Sequence, residues 1–238
     1  MTLLELVQAH ASRTGIASPS TVIGNTDDQV VQVAALLSEV LEDIIDRDVS
    51  WSGLTHEATF VTVAAEDQGA LTTLAPNGFR FVLNGTIYDR SRQLPFYGPI
   101  NPSDWQALKA LPTTGPFYKF RLVRGRLLLN PAPPAGHSAA FEYASNYAVL
   151  ASDGTTYKRY PTDDTDTFLV PDDVVLAGLR WKWKAEKGLE YAEDFRAYEE
   201  RINNAIGRDA TKPTLSMSEG RDEARPGIFV PPGSWNLP

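Results

Sequence analysis

Apolar residues recur at helical spacing from Val30 to Ile45. Val30, Val33, Ala34, Leu37, Val40, Leu41, Ile44 and Ile45 fall on one stripe. Ahead of them, Thr26-Asp27-Asp28-Gln29 matches a capping box, a threonine followed three residues later by glutamine. Asp27 and Asp28 set negative charge at the positive end of the helix dipole. The pattern predicts a helix over 27–46 with one buried stripe. Leu3, Leu4, Leu6 and Val7 predict a shorter helix before it, ended by the loop from Gly15 to Ser20. Two antiparallel helices are the simplest packing.

After Trp51 the period falls to two. Glu57 to Ala64 is rich in β-formers. Phe79, Phe81 and Leu83 alternate with Arg80 and Val82, then come Asn84-Gly85 and Thr86 to Asp89. Asn-Gly between two such runs predicts a hairpin on a type I′ turn, which needs positive φ at both central residues. A second hairpin is expected over Tyr118–Val123, Arg124-Gly125 and Arg126–Leu129. A further strand is expected over Ala139–Tyr147, with Phe141 and Tyr143 on one face. Between the hairpins, the Pro- and Gly-rich stretch Leu94–Pro116 holds a short helix over Asp104–Leu111, capped by Ser103.

Helical spacing returns at Pro171, where proline suits a first turn and Asp172 and Asp173 complement the dipole. Val175, Leu176, Leu179 and Trp183 form one face. Leu189, Tyr191, Phe195, Tyr198, Ile202 and Ile206 form another, with a break or bend at Gly188. From Arg208 the pattern stops. Pro213, Pro226, Pro231, Pro232 and Pro238 mark an extended tail, which nonetheless carries Ile228, Phe229, Val230 and Trp235. The expected fold class is α+β. N-terminal helices (1–50) and C-terminal helices (171–207) pack as a bundle, an antiparallel β-module (51–170) is inserted between them, and an extended C-terminal arm (208–238) follows.

Composition narrows the function. The 238 residues are 42% hydrophobic and contain no cysteine, which excludes disulfides, thiol nucleophiles and cysteine-bound zinc. Lys and Arg total 22 against 30 Asp and Glu, a net charge of -8. A protein that grips nucleic acid presents a basic surface; this balance fits a wall that DNA passes without sticking. Met1 to Val7 carries Glu5 and no positive n-region, and no apolar run is long enough to span a bilayer. Neither a secretory leader nor a membrane anchor is expected.

Candidate chemistry is sparse. His10, His56 and His137 sit in separate segments, and lone histidines are more often structural. Walker, GxSxG and GxGxxG patterns are absent from the sequence. No cofactor, metal site or catalytic residue is expected. Asp163, Asp164 and Asp166 are the densest carboxylates, read as a loop leading to a helix, with calcium as the minority alternative. In Arg180-Trp181-Lys182-Trp183-Lys184, Trp183 is expected in the core. Arg180, Lys182 and Lys184 are expected to face acidic neighbours or another subunit.

Several segments together resemble the head-to-tail adaptor (connector) proteins of short-tailed bacteriophages, the tail tubular protein A or gatekeeper-like group. One is the helix from Gln29 to Asp46 running into Trp51-Ser52-Gly53-Leu54 and Glu57-Ala58-Thr59-Phe60. Others are Gly85-Thr86-Ile87-Tyr88-Asp89-Arg90-Ser91, Asn101-Pro102-Ser103-Asp104-Trp105-Gln106 and Phe141-Glu142-Tyr143. The last is Gly178-Leu179-Arg180-Trp181-Lys182-Trp183-Lys184 with Tyr191-Ala192-Glu193-Asp194-Phe195. Ser91 stands where the group's motif has threonine, and the tail after Arg208 is not covered by the resemblance. The resemblance implies a non-enzymatic ring of roughly twelve subunits seated under the portal. It also implies contact with the next tail component (nozzle or tail tube), passage of DNA without specific binding, and a place in the neck of the virion after synthesis in the host cytoplasm. The interface residues expected on this view are Arg180, Lys182, Lys184, Ile228, Phe229, Val230 and Trp235. Two other readings stand beside it. One is a peptidoglycan-cleaving virion protein using carboxylates such as Glu57, Glu66 or Asp67. The other is a β-rich receptor- or glycan-binding module.

Overall fold

Thr2 opens the first helix, α1 (Leu3–Thr14), with a reciprocal cap. Its hydroxyl accepts from the Glu5 N–H, and its own N–H donates to Glu5 Oε2 at 2.9 Å. The chain as described by this computed structural model comprises residues 1–47, 49–110, 115 and 117–209. The tail residues expected to form the arm, from 210 onward, lie outside the described residues. Helix α2 (Asp28–Asp46) buries Val30, Val33, Leu37, Val40, Leu41, Ile44 and Ile45 of the predicted stripe; Ala34 is only partly buried, and Leu36 joins the buried set. Its cap is Asp27, one residue later than the predicted Thr26. The Asp27 carboxylate takes the Gln29 N–H at 2.8 Å, while Asn25 Oδ1 holds the Asp27 N–H. A carboxylate reaches the second helical N–H without help from a glutamine.

Downstream come β1 (Thr55–Val61), β2 (Asp67–Ala70), the one-turn α3 (Leu71–Leu74), β3 (Phe81–Val82), β4 (Tyr88–Asp89) and β5 (Leu94–Pro95). Helix α4 (Pro102–Ala110) follows, then β6 (Lys119–Val123), β7 (Arg126–Asn130) and β8 (Ser138–Ala144). Asn101, not Ser103, caps α4: its side-chain oxygen accepts the Asp104 N–H at 2.8 Å and its amide donates to Asp104 Oδ2. Three short strands, β9 (Val149–Leu150), β10 (Tyr157–Lys158) and β11 (Thr167–Phe168), precede α5 (Asp172–Glu186) and α6 (Ala192–Asp209). Gly188, at φ +66, breaks the chain between these two helices as expected. Helix α6 runs through Asp209, past the expected start of the arm at 208.

Strand β8 organises the main sheet. It pairs antiparallel with β1 on one edge (Ala58↔Phe141) and with both β3 (Val82↔Tyr143) and β4 (Tyr88↔Ala140) on the other. The expected Asn84-Gly85 hairpin is therefore not formed. β3 and β4 are successive pieces of one interrupted strand, and residues 83–86 turn outward between them, with the Thr86 N–H on Leu83 O. Of the two turn centres only Gly85 has positive φ, at +79; a type I′ turn needs both. The Thr86 hydroxyl re-registers the excursion on β8 by accepting the Glu142 N–H at 3.1 Å. The second predicted hairpin is present as β6–β7, with Arg124 at φ 51 and Gly125 at φ 68 supplying the two positive angles.

Burial resolves into two apolar clusters. One joins α1, α2, α5 and α6 with Trp51, Leu54, Ala148, Val149 and Val170, so β9 and its neighbours pack with the helices. The other fills the β-module and includes Phe120, Leu129, Phe141 and Tyr143. The observed class is α+β, with terminal helices bundled around an antiparallel insert. The helices close on each other at Gly178 of α5. A Cβ built there would lie 2.6 Å from Val40 Cγ1 on α2 and 3.1 Å from Tyr198 Cε2 on α6. Gly178→Ala is expected to destabilise the fold by about 1–3 kcal/mol through overpacking. A lowered urea midpoint at unchanged m-value would register it, and an unchanged midpoint would show that the helices can move apart at no cost.

Candidate assembly surfaces

Helix α5 presents the basic and aromatic run to its own bundle. Arg180 Nε lies 2.9 Å from Asp194 Oδ1 on α6, Lys184 pairs with the same carboxylate, and Lys182 Nζ lies 3.0 Å from Glu39 Oε2 on α2. Trp183 is buried as expected, edge-on to His10 at 5.7 Å, with Lys187 Nζ 4.4 Å from its ring centre. The run therefore stitches α5 to both neighbours and forms no stacking platform. Arg180 keeps 47% of its side chain exposed, against 18% for Lys182 and 29% for Lys184. Ile228, Phe229, Val230 and Trp235, the other half of the expected interface, lie outside the described residues.

A second cluster locks α2 to α6. Arg47 meets Glu199 Oε1 at 2.6 Å and Asp43 at 3.3 Å, and the Tyr198 hydroxyl donates to Asp43 Oδ2 at 2.5 Å. Burial, followed by that bond to the Asp43 carboxylate, raises the Tyr198 phenol above its ordinary value. The Glu199 carboxylate raises the Arg47 guanidinium.

Sequence spacing placed Leu189, Tyr191 and Phe195 on one buried stripe with Tyr198 and Ile202. Tyr198 and Ile202 are buried, whereas Leu189 (55% exposed), Tyr191 and Phe195 are open to solvent. Leu189 and Tyr191 are off the stripe because the chain breaks at Gly188 and they belong to the turn; Phe195 is on the α6 face but in its first turn, at the open end of the helix. Trp181 packs beside them, 5.1 Å from the Phe195 ring, with its indole N–H buried and lacking a partner among the described residues. This apolar end of the α5–α6 hairpin is a surface the sequence did not disclose.

The aspartate-rich loop acts as a clasp. Both Asp164 oxygens accept the Val22 N–H, and Oδ1 also accepts the Ile23 N–H at 2.8 Å, while the Asp164 and Asp166 carbonyls take the Leu4 and Leu3 N–H groups. Asp166 is buried and shared by Lys158, Thr162 N–H and Asp163 N–H. Lys158 supplies the positive charge that balances the loop. Among the described residues no group of His, Asp or Glu could hold a metal ion.

In the Tyr88-Asp89-Arg90-Ser91 segment the polar residues hold β4 to the start of β8. Buried Asp89 accepts the Arg92 N–H at 3.0 Å and lies 3.0 Å from His137 Nδ1; the Ser91 hydroxyl accepts the Ser138 N–H at 2.9 Å. The carboxylates of the cell-wall-cleavage reading are each tied to a separate cation: Glu57 to Arg90 (2.8 Å), Glu66 to Lys109 (2.9 Å) and Asp67 to Arg126 (2.5 Å). Glu57 borders an open depression of about 360 Å³ with Tyr88, Arg90 and Glu142. A larger open groove, about 550 Å³, runs past Pro99, Ile100, Asp104, Leu108 and Lys119. No helix among the described residues is long and apolar enough to cross a membrane.

Ion pairs that join helices, aromatics left open at one end of a bundle, and carboxylates paired with neighbouring cations together make up an α+β module. The chain matches the family described as SU10 adaptor protein over residues 1–225, and it belongs to that family. It is accordingly a structural phage adaptor and a component of the virion. No curated protein matches it.

Buried His10 gives the bundle a pH dependence. Desolvation first, then the charges of Arg13 and Arg180, lower its pKa from 6.5 to about 4. Between these values the unfolded chain binds the proton and the folded chain does not. Stability should therefore fall as pH drops from about 6.5 towards 4, by at most about 3 kcal/mol. His10→Leu should flatten the fall in urea midpoint between pH 7 and pH 5. An identical slope in both proteins would remove His10 as its source.

Proposed function

We propose that this adaptor is of the head-to-tail type found in short-tailed phages, the tail tubular or gatekeeper-like group. In this reading, roughly twelve copies form a closed ring beneath the portal, extend the DNA channel and offer a platform to the next tail component. The observation that carries the reading is the family match across residues 1–225. Supporting it, the net charge of -8 suits a channel wall, because like charge repels the phosphates. The exposed end of the α5–α6 hairpin, with Leu189, Tyr191 and Phe195, offers apolar surface of the kind found at the centre of subunit contacts. Arg180 is the member of its run most available to a neighbouring subunit, with Lys182 and Lys184 behind it. Ile228, Phe229, Val230 and Trp235 would serve as the anchor of the C-terminal arm on the portal or on an adjacent subunit.

Native mass measurement with purified portal tests the reading. The full chain is expected to add to the portal as a ring, and a chain lacking residues 210–238 is expected to stay folded and helical yet fail to join. That deletion keeps Asp209, whose carboxylate holds Ser52. Failure of the full chain to bind portal sinks the adaptor reading, while equal assembly by the shortened chain sinks only the anchor.

The assembled ring is also expected to retain DNA weakly at low salt. Tight retention that falls steeply as salt rises would contradict a net-negative channel.

A further inference from the structure

Strand β1 leaves one edge open. The Thr62 N–H donates to His137 O, the Gly136 N–H to Thr62 O and the Ser145 N–H to Leu54 O, which fixes the hydrogen-bond phase at both ends of the β1–β8 ladder. With the register running from Thr55↔Ala144 to Val61↔Ser138, the even-numbered residues of β1 bond to β8. Glu57, Thr59 and Val61 turn their N–H and C=O groups the other way. Among the described residues none of these groups has a hydrogen-bond partner, and no strand pairs with that side.

Apart from Glu57, whose carboxylate is paired with Arg90, the usual protections are missing. Thr55–Val61 contains no proline, lysine or bulge, and Val61 is 66% exposed. The opposite edge of the same sheet is guarded: β5 is two residues long and contains Pro95, and the chain then bridges from Tyr97 to Lys119 in the second sheet. An unguarded edge of this length, about 23 Å, is a template for another strand.

The remaining chain starts beside that edge. Asp209 ends α6 with its carboxylate accepting the Ser52 N–H at 2.7 Å and the Ser52 hydroxyl at 2.5 Å, just ahead of β1. Residues 210–238 thus leave from the foot of the strand. Within them Ile228-Phe229-Val230, preceded by Gly227, is a run of β-formers, and Pro226 and Pro231 on either side lack the N–H needed to extend a ladder. The stretch from Asp209 to Gly227 reaches roughly 60 Å at full extension, more than enough to lay the run at any point along β1. Tethering holds it near the edge at about millimolar effective concentration.

We propose that in the free chain residues 227–230 add as a strand to the open edge of their own β1, meeting the backbone groups of Glu57, Thr59 and Val61. This goes beyond the adaptor reading, since it concerns the chain before assembly and stands or falls whether or not the chain binds a portal.

Residue-resolved amide exchange on the full chain provides the test, comparing the unaltered sequence with Phe229→Pro. The substitution changes no residue of either apolar core and removes one N–H from the proposed strand. The amides of Glu57, Thr59 and Val61 should exchange about tenfold or more faster in the variant, and those of Ala58 and Phe60, bonded to β8, should not change. Equal rates at Glu57, Thr59 and Val61 in the two proteins overturn the proposal. Because the chain has no cysteine, a second measurement needs no background mutations. Thr59→Cys is combined in turn with Ile228→Cys, Phe229→Cys and Val230→Cys, and the dilute monomer is oxidised. A link within one chain, seen as a cross-linked peptide at monomer mass, is expected from at least one pair. Links formed only between chains, or from no pair, overturn it.

Discussion

The approach of α2 and α6 to α5 at Gly178 is the constraint on which the architecture turns. A hydrogen in place of a side chain lets Val40 and Tyr198 meet the α5 backbone, and the N-terminal and C-terminal helices then share one apolar cluster. The chain between Asp46 and Pro171 must consequently leave the bundle and return to it, and Trp51, Leu54, Ala148, Val149 and Val170 at its two ends stay in the bundle's cluster. That is why the β-module is an insert with both ends fixed. The polar contacts act after this contact is made: Glu39 and Asp43 on α2 and Arg47 at its C-cap meet Lys182, Tyr198 and Glu199 only because the backbones are already close. Each pair is partly exposed and contributes modestly, so their role is to select one alignment of the helices.

The insert is tied back by polar contacts from several directions. Glu42 on α2 takes the Tyr160 hydroxyl and Arg159 from the loop after β10, Arg80 donates to the carbonyls of Arg47 and Val49, and Asp164 holds the segment between α1 and α2. These contacts reach backbone groups or α2 carboxylates, which fixes orientation without requiring a large apolar interface. The carboxylates that a catalytic reading would recruit, Glu57, Glu66 and Asp67, are paired instead within the insert, with Arg90, Lys109 and Arg126.

What the sequence disclosed depended on whether the deciding interaction was local. The stripe from Val30 to Ile45 and the Arg124-Gly125 hairpin were legible because their partners lie within a turn or two of chain. Asn84-Gly85 misled because both flanking strands bond to β8, more than fifty residues away, and not to each other. The exposure of Leu189 and Tyr191 was hidden for a related reason: their spacing continues the helical stripe, and only the turn at Gly188 takes them off it, while Phe195 stays on the α6 face and is open because it sits in the first turn. Gly178 gave no signal at all, since a glycine inside a helical pattern does not reveal which neighbour requires it. The adaptor identity was legible through the order of whole segments, and not through any cluster of side chains.

The outward turn between β3 and β4 has a chemical consequence. Asn84 is exposed and followed by Gly85, whose unhindered amide nitrogen can attack the asparagine side-chain carbonyl, break its C–N bond with loss of ammonia and close a succinimide. Hydrolysis of that ring yields aspartate or isoaspartate, and the latter inserts an extra carbon into the main chain. Val82 and Tyr88 are both held in register by the same strand, so the added length has to be absorbed in the few residues between them, where Thr86 grips Glu142. Stored particles would thus carry a slow clock at this turn, set by covalent ageing of the backbone and independent of any partner the adaptor meets.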